Sequence, residues 1–594
     1  MNWDWYFLTV SRRWRISRPR FTPNSGSDCR MKNRIFLSLK NRAKNDPYMQ
    51  IETYLKIQLL TVLRSFDLDE DQIPELHLET PRDPSHGDVA TNVAMKLAKA
   101  LRDNPRKIAE RIVDQIELNP KKVASAEVAG PGFINFRYSD LYLTDALQEL
   151  MDAGEMFGQS DERSGEKVLV EFVSANPTGP LTVGHGRNAV LGDTVARLFE
   201  WTGAEVDREY YFNNAGRQMR KLGQSVQVRY LQAIGREAEL PEDGYEGEYI
   251  KEIANVLVEK HGETLANNED ETVFKKEAES AIFDQIQTTL KRMNIKMDSF
   301  FNERTLYENG MIDDVVNRFR EKKMAFDEDG AVWFKTTEFG KDKDTVLIKS
   351  TGEPTYRLPD IAYHANKLDR GYDLCIDVFG ADHIDTYPDV MNGIGVLGYD
   401  QSKVEVLVYQ FVTLVQDGNP YKMSTRKANF VTLDELMDDV GEDVTRFFFL
   451  MRSPNTHLEF DVARAKEAGD KNPVFYLQYA HARIQSILRK IEELDENRAE
   501  LNLGLLKHES EITLIKKMLA FPEVITLSAD HKEPHRVITY LNELASDFTS
   551  FYHDCRIIGV EPALMKARAE LAGAVAQVLA NGLTILGITA PDRM

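Results

Sequence analysis

Apolar positions along the chain alternate between the spacing of strands and that of helices. Val168–Val173 is apolar at almost every residue, which is typical of a strand buried on both faces. After a Pro/Gly turn, a second apolar set has helical spacing and ends at Gly203; it comprises Val190, Leu191, Val195, Leu198 and Phe199. Similar runs predict further strands of a parallel sheet at Leu374–Phe379 and Val404–Leu414.

The segments on either side of this sheet have other patterns. Residues 49–140 combine helical spacing with a short strand after a Gly-Pro-Gly turn, which predicts a small α/β domain. Between about 220 and 340 the chain is charged and helix-rich, with a small strand element at Gly330–Phe334. After Asn472 the apolar spacing is helical to the end of the chain, which predicts an all-α bundle.

Composition limits the class of protein. At 594 residues the chain is long enough for three or four domains. It has no run of 18 apolar residues, so no membrane-spanning segment is predicted. Its three cysteines are far apart, which suits a reducing cytoplasm and gives no disulfide framework or zinc site. The net charge of −21 argues mildly against RNA binding, although local basic patches, and not the total, decide nucleic-acid affinity.

The first 48 residues differ from the rest of the chain. They hold eleven Lys or Arg residues against three Asp, and they lack the long apolar stretch of a secretory signal. We expect residues 1–48 to be a disordered basic extension upstream of Met49. A transit peptide and a basic RNA-binding arm are the alternative interpretations.

The segment after the first predicted strand has the chemistry of a nucleotide site. Gly184-His185-Gly186 opens the helix that follows the turn. In a doubly wound sheet, this arrangement presents backbone N–H groups and the positive end of a helix dipole to a phosphate, and glycines let the polyphosphate approach closely.

Two motifs carry a family resemblance. The stretch Asn176–His185 resembles the first signature of class I aminoacyl-tRNA synthetases, in the long form of arginyl-tRNA synthetases, and Lys422–Lys427 resembles their second signature. Further segments look like bacterial arginyl-tRNA synthetases, so that the resemblance extends from about Met49 to Met594; they are 87–92, 129–136, 354–363, 479–483 and 590–594.

The resemblance implies a fold and a function. It implies a Rossmann-like catalytic domain at 160–455 with the insertion at about 220–340, an N-terminal tRNA-contacting α/β domain at 49–140, and an all-α anticodon-binding domain at 456–594. It also implies an ATP-dependent ligase that joins L-arginine to tRNA(Arg). Mg²⁺ would accompany ATP, no resident metal is expected, and the protein would be a cytoplasmic monomer.

The resemblance also assigns residues. The catalytic set is Thr182, His185, Lys422, Ser424, Arg426 and Lys427. The ATP-binding set is Pro177, Gly179, Gly184, His185, Asp382, His383 and Met423. The arginine-binding set is Glu171, Ser174 and Asn176 for the α-amino group, with Tyr356 and Asp360 for the guanidinium. A carboxylate suits the last role because it accepts both N–H groups of the guanidinium fork.

Two departures from the family pattern leave alternatives open. Thr182 stands where a His is usual, and Thr425 stands where a Lys is usual. A hydroxyl still donates to a phosphate oxygen, but it has no charge. A synthetase-like RNA-binding protein without activation, and a class I synthetase for another amino acid such as cysteine, are therefore the competing hypotheses.

Overall fold

The structure is a computed structural model that describes residues 51–594 except for a few positions. The exceptions are Arg82, Glu269, 382–383, Asp417, 422–430, Ala468, Asp470 and 495–498. The predicted basic extension 1–48 lies outside the described residues. The chain divides into two units, one ending at Ala146 and one beginning at Leu147.

The first unit packs helices on a small antiparallel sheet. Its elements are α1 (Ile51–Leu63), β1 (Val89–Thr91), α2 (Val93–Leu101), α3 (Pro105–Gln115), β2 (Val123–Ala129) and β3 (Phe133–Tyr138). The strands lie in the order β1-β3-β2. Helix α3 begins with a proline after Asn104, whose side chain accepts a hydrogen bond from the backbone N–H of Arg106. The predicted small α/β fold is confirmed.

The second unit begins with an α/β region. Its elements are α4 (Asp140–Ala153, which crosses the boundary), β4 (Lys167–Glu171), α5 (Val183–Trp201), β5 (Glu205–Phe212), α6 (Gly216–Ala233), α7 (Glu248–His261), α8 (Thr272–Arg292), β6 (Ser299–Asn302), α9 (Arg304–Glu308), α10 (Met311–Glu321), β7 (Ala325–Glu328), β8 (Ala331–Phe334), β9 (Thr345–Ile348), α11 (Arg357–Asp369), β10 (Leu374–Gly380), α12 (Tyr387–Leu397) and β11 (Val404–Tyr409).

The main sheet has the strand order β11-β10-β4-β5-β6, and every neighbouring pair is parallel. The chain lays down β4, β5 and β6 in one direction and then returns to add β10 and β11 on the other side of β4. The strand order therefore reverses between β4 and β10. In open parallel sheets this reversal opens a crevice at the carboxyl ends of the strands, where ligands bind.

The remaining elements follow β11. They are β12 (Val412–Gln416), β13 (Asn419–Pro420), α13 (Leu433–Val440), α14 (Glu442–Leu450), β14 (Leu458–Asp461), α15 (Val462–Lys466), α16 (Pro473–Glu492), α17 (Glu509–Leu519), α18 (Phe521–His531), α19 (His535–Asp554) and α20 (Pro562–Ile585). From α16 onward the described elements are helical, apart from turns, as the apolar spacing predicts.

The single strand predicted at Val404–Leu414 is wrong. The chain leaves the main sheet after β11, and β12 pairs with β13 and β14 in a different sheet. At the bend, the backbone N–H of Gln410 donates to Pro454, and the Gln410 carbonyl accepts from the buried guanidinium of Arg187. These contacts bend the chain between β11 and β12. The apolar pattern of 404–414 does not show that the two halves pair with different strands.

The segment predicted as an insertion contributes to the main sheet. Between 220 and 340 the chain forms helices α7 and α8, but it then returns as β6 at the sheet edge before entering the small sheet β7-β8-β9. The strand element predicted at Gly330–Phe334 forms β8, paired with β7 through a turn in which Asp329 and Gly330 both have positive φ.

One buried carboxylate links distant parts of the second unit. Asp193 on α5 is bound by Arg446 Nη2 at 2.7 Å and by Arg197 Nε at 2.8 Å. Burial by itself raises the pKa of Asp193, but Arg446, Arg197 and Arg208 lower it further than burial raises it. Arg446 also donates to the carbonyls of Met293 and Leu586, so α5, the segment after α8 and the end of α20 share one ionic junction.

Close packing of α5 on the sheet provides a test of this fold. A Cβ on Gly192 would lie 2.2 Å from Phe172 Cγ, so we expect Gly192→Ala to destabilise the protein by about 1–3 kcal/mol through overpacking. Gly573→Ala in α20 is the matched control, because its Cβ would meet only Leu488, at 3.7 Å. Urea unfolding of both variants measures the difference, and equal midpoints would contradict the packing argument.

Candidate active site

The turn that follows β4 lies at the reversal point of the sheet. Val173 and Ser174 have φ values of 67° and 45°, so two non-glycine residues hold the left-handed conformation there. The side chain of Asn188 supports them: its Oδ1 accepts from the backbone N–H of Val173 at 2.5 Å, and its Nδ2 donates to the carbonyl of Val378 on β10 at 2.8 Å. The turn is therefore tied to both strands that border the crevice.

Thr182 and His185 form the start of α5. Thr182 is the N-cap residue, and its backbone N–H donates to His185 Nδ1 at 3.1 Å. Because Nδ1 is an acceptor, the ring proton of the neutral tautomer lies on Nε2. Burial lowers the pKa of His185, so the ring is a neutral donor at this helix N-terminus.

The chain that follows the second signature is anchored on the first. Thr432 forms an antiparallel bridge with Thr182, and the backbone N–H of Leu433 donates to the carbonyl of Leu181 at 2.8 Å. Several predicted site residues lie outside the described residues: Lys422, Met423, Ser424, Arg426 and Lys427 of the second signature, and Asp382 and His383. The chain that follows residues 422–430 nevertheless returns to the start of α5.

A tyrosine from the helical segment covers the first signature turn. Tyr249 Oη donates to the carbonyl of Thr178 at 2.8 Å. A Cβ on Gly179 would lie 3.1 Å from this hydroxyl, so the close approach favours a glycine. Gly179 and Pro177 thus lie in a turn that α7 contacts through Tyr249. The sequence analysis did not find Tyr249, because its position relative to the turn is set only by the tertiary fold.

Polar groups gather at the carboxyl ends of β4 and β5. Ser174 Oγ accepts from the backbone N–H of Tyr211 at 3.2 Å and donates to Glu171 Oε1 at 2.8 Å. Asn176 Oδ1 accepts from the backbone N–H of Asn213 at 3.0 Å. The structure therefore brings the predicted residues Glu171, Ser174 and Asn176 together, with Glu171 the most deeply buried.

A second acidic group lies beside them. Glu303, directly after β6, accepts hydrogen bonds from Tyr211 Oη at 2.8 Å and from Tyr307 Oη at 3.4 Å. The pKa of Asp360 on α11 is raised to about 7, first by burial and then by the carboxylates Glu171 and Glu303, while His364 and Lys367 act against the rise. Among the described residues, no basic side chain lies within ion-pair distance of Asp360. Asp360 therefore lies beside two other acids without an ion-pair partner among the described residues.

Tyr356 differs from Asp360 in exposure. It precedes α11 and is 84% exposed, whereas Asp360 is half-buried one turn later. Glu303 was missed in the sequence because the short strand before it lies within a long charged stretch. The sequence pattern of that strand is the aromatic pair Phe300-Phe301 before Asn302. This pattern is too short to distinguish a buried strand from a helix.

Beneath the pocket, a buried cluster joins α11 to the sheet. Lys367 Nζ binds Glu171 and also Asp377 Oδ1, the latter at 2.5 Å. His364 contacts Asp377 Oδ2 through Nε2 at 2.8 Å and the Asp360 carbonyl through Nδ1 at 2.7 Å. Lys367 and Asp377 are 0% exposed. The sequence analysis did not single out these three side chains.

Three features define a class I aminoacyl-tRNA synthetase: the reversed strand order, the helix N-terminus at the crevice, and the bridge from Thr182 to Thr432 in the chain that follows the second signature. The family model "tRNA synthetases class I (R), catalytic domain" matches residues 146–461. "Arginyl tRNA synthetase N terminal domain" matches residues 50–138, and "DALR anticodon binding domain" matches residues 477–594. The chain belongs to the arginyl-tRNA synthetase family.

Individual relatives agree with this assignment. The chain is 53% identical over 564 residues to the arginine–tRNA ligase of Salinibacter ruber, covering 92% of this chain and 100% of the relative. It is 51% identical over 520 residues to that of Desulfotalea psychrophila, covering 87% and 94%. The solved Thermus thermophilus arginyl-tRNA synthetase has the same fold, with a TM-score of 0.72 at 23% identity over 91% of this chain and 99% of that one.

The raised pKa of Asp360 predicts a pH-dependent stability effect. In the unfolded chain this carboxyl ionises near pH 4, but in the native pocket it holds its proton to about pH 7. Its contribution to the free energy of unfolding therefore falls as the pH rises through this range. We expect Asp360→Asn to raise the melting temperature relative to the parent protein by an increment that grows from pH 5 to pH 8.

Asp369→Asn is the control for this measurement, since Asp369 is exposed at the end of the same helix. A stability increment for Asp360→Asn that does not change with pH would contradict the assignment of a pKa near 7. Thermal unfolding of both variants at pH 5 and pH 8 is sufficient.

Proposed function

We propose that this chain activates L-arginine with ATP and transfers the arginyl group to the 3′ end of tRNA(Arg). In the first step, an arginine carboxylate oxygen attacks the α-phosphorus of ATP, and pyrophosphate leaves. In the second step, a terminal ribose hydroxyl of the tRNA attacks the carbonyl carbon of the adenylate, and AMP leaves. The observation that carries this proposal is a cluster of acidic side chains at the carboxyl ends of β4, β5 and β6, next to the turn that joins β4 to α5.

The guanidinium of arginine is assigned to the carboxylate of Asp360. The environment of Asp360 supports this role, because burial next to two other acids makes the pocket favour a cation over water. Glu303, oriented by Tyr211, adds a second acceptor on the same side. Tyr356, which is exposed at the entrance to α11, is assigned to cover the guanidinium once substrate is bound.

The α-amino group is assigned to the ends of β4 and β5. Ser174 and Asn176 present polar atoms there, and their hydrogen bonds to the backbone of Tyr211 and Asn213 hold them in place. Glu171 lies below them with Ser174 on one oxygen and Lys367 on the other, so it fixes the orientation of the Ser174 hydroxyl. An arginine bound this way has both of its positive groups near carboxylates, and its own carboxylate is left for reaction.

ATP is assigned to the first signature turn and the start of α5. Pro177, Gly179 and Gly184 let the triphosphate approach the backbone, and the His185 Nε2–H is a donor at the positive end of the helix dipole. By the family resemblance, Asp382, His383 and Met423 contact the nucleotide. Thr182, Lys422, Ser424, Arg426 and Lys427 would stabilise charge that develops on the phosphates, and Mg²⁺ would enter as the ATP complex.

The two domains outside the catalytic region are assigned to tRNA. The segment 50–138 belongs to the family's N-terminal domain, and 477–594 to its anticodon-binding domain. None of the described helices is long and apolar enough to cross a membrane. We propose that the protein acts as a monomer in the cytoplasm.

The direct test is charging of a tRNA pool with each of the twenty amino acids, with and without ATP. We expect ester formation with arginine alone and only when ATP is present. A folded protein that forms no arginyl-tRNA would contradict the proposal and would favour a synthetase-like RNA-binding protein.

The role of Asp360 predicts a selective defect. Asp360→Asn keeps the shape of the side chain but turns an acceptor into a donor that faces guanidinium N–H groups. A mispaired buried group of this kind costs about 1–3 kcal/mol, so the arginine KM is expected to rise by roughly tenfold or more. The ATP KM is expected to stay within about twofold, because the hydrogen bonds of Asp360 among the described residues are with Tyr356 and His364 and not with residues assigned to ATP.

The same kinetics carry a pH signature. Binding a guanidinium requires the ionised carboxylate, so the arginine KM of the parent protein is expected to fall as the pH rises through about 7. Asp360→Asn removes this dependence, whereas Asp369→Asn keeps it. If both KM values change together in Asp360→Asn, the residue supports the fold and does not contact the substrate.

A further inference from the structure

Three buried acids form a row across the main sheet at the level of the pocket. Asp377 on β10 is the register partner of Glu171 on β4, and Glu171 is the register partner of Glu209 on β5. Neighbouring parallel strands are about 4.8 Å apart, so these carboxylates are closely spaced in a region that water does not reach. Each is 4% exposed or less. Such a row is stable only if cations neutralise it.

Lys367 on α11 and Arg370, which caps the end of that helix, supply those cations. Lys367 binds Glu171 and Asp377, and Arg370 binds Glu209 with two hydrogen bonds of 2.7 and 2.6 Å. Both ring nitrogens of His364 face acceptors, one the carboxylate of Asp377 and the other the carbonyl of Asp360. The spacing i, i+3 and i+6 places the three side chains along the side of the helix that faces the sheet.

Lys367 is the central member of this set. It is completely buried and is the cation that contacts two acids of the row. Burial alone would lower the pKa of Lys367, but Asp377 and Glu171 raise it further than burial lowers it, so the amine stays charged. Asp360 precedes Lys367 by two helical turns, or about 10 Å along the axis. Any shift of α11 at Lys367 would therefore also move Asp360.

We propose that Lys367 is a positioning residue for arginine. By binding Glu171 and Asp377, it fixes the position of α11 relative to strands β4 and β10. In doing so it places Asp360 at the guanidinium end of the substrate. The inference rests on the proposed function, since it assumes that arginine occupies this pocket. Lys367 itself does not contact the substrate.

The test is Lys367→Met, which keeps most of the side-chain volume and removes the charge. Arginine and ATP KM values are measured in tRNA charging, alongside the melting temperature. We expect the arginine KM to rise at least about tenfold and the ATP KM to stay within about twofold. Arg568→Met is the matched control: it removes the cation of Glu511, an acid that is 1% exposed, in the C-terminal helices. It is expected to lower the melting temperature and leave the arginine KM within about twofold.

A double variant separates positioning from general destabilisation. If Lys367 acts by placing Asp360, the combination of Lys367→Met with Asp360→Asn should raise the arginine KM by about as much as one change alone, near tenfold. A rise in the arginine KM near a hundredfold, the product of two tenfold effects, would show that the two changes act independently and would overturn the proposal. An unchanged arginine KM in Lys367→Met, or arginine and ATP values that rise together, would also overturn it.

A second pair covers the case in which Lys367→Met does not fold. Glu171→Gln with Lys367→Met removes one negative and one positive charge, so the buried region stays balanced. Relative to Glu171→Gln alone, the double variant should raise the arginine KM at least about fivefold, because Asp377 no longer holds α11. No difference between the two would overturn the inference. Failure of the parent protein to charge tRNA with arginine would instead overturn the proposed function.

Discussion

The pocket depends on ion pairs that the parallel sheet keeps away from water. A buried carboxylate without a partner takes up a proton, and the negative potential of the site would then be lost. Lys367 and Arg370 act against this: each acid of the row lies opposite one of these two cations, and the pKa values of Asp377 and Glu209 are lowered although both groups are buried. The pairing has a geometric result as well, since a helix joined to the sheet by short ionic contacts cannot slide along it.

Helix α5 carries the other half of the site, and it is held at two places. At its start, the cap of Thr182 and His185 meets the chain that follows the second signature. Three turns later, Asp193 binds Arg446, whose remaining donors reach the carbonyls of Met293 and Leu586. The helix that presents the nucleotide site is therefore linked to the end of α20 through Arg446 of α14, which binds Asp193 and the carbonyl of Leu586. A shift at the start of α5 or at the end of α20 would be transmitted to the other through packed atoms.

The sequence predicted the elements whose signal is local. The strand after residue 167, the helix from Val183 and the C-terminal helices follow from apolar spacing, and the two signature segments follow from their order and flanks. What it could not predict depends on pairing between distant residues. Tertiary partners set the division of 404–414 into two strands and the return of the chain to the main sheet as β6. They also set the contacts of Tyr249, Glu303 and Lys367. A lysine in an amphipathic helix is expected at the surface, and only the register of Asp377 with Glu171 explains why Lys367 is buried.

The acids near the reversal point fall into two classes with different electrostatic roles. Those of the cross-strand row are paired with cations of the protein itself, which lower the pKa of Asp377 and Glu209 against the effect of burial, whereas burial keeps the pKa of Glu171 raised. Asp360 is not matched in this way among the described residues, and burial together with Glu171 and Glu303 raises its pKa to about 7. Its ionisation therefore responds to whatever cation enters: a guanidinium lowers that pKa and is bound more tightly as the proton leaves. Selectivity for a positively charged side chain arises because the fold neutralises one set of acids and leaves the other for the substrate.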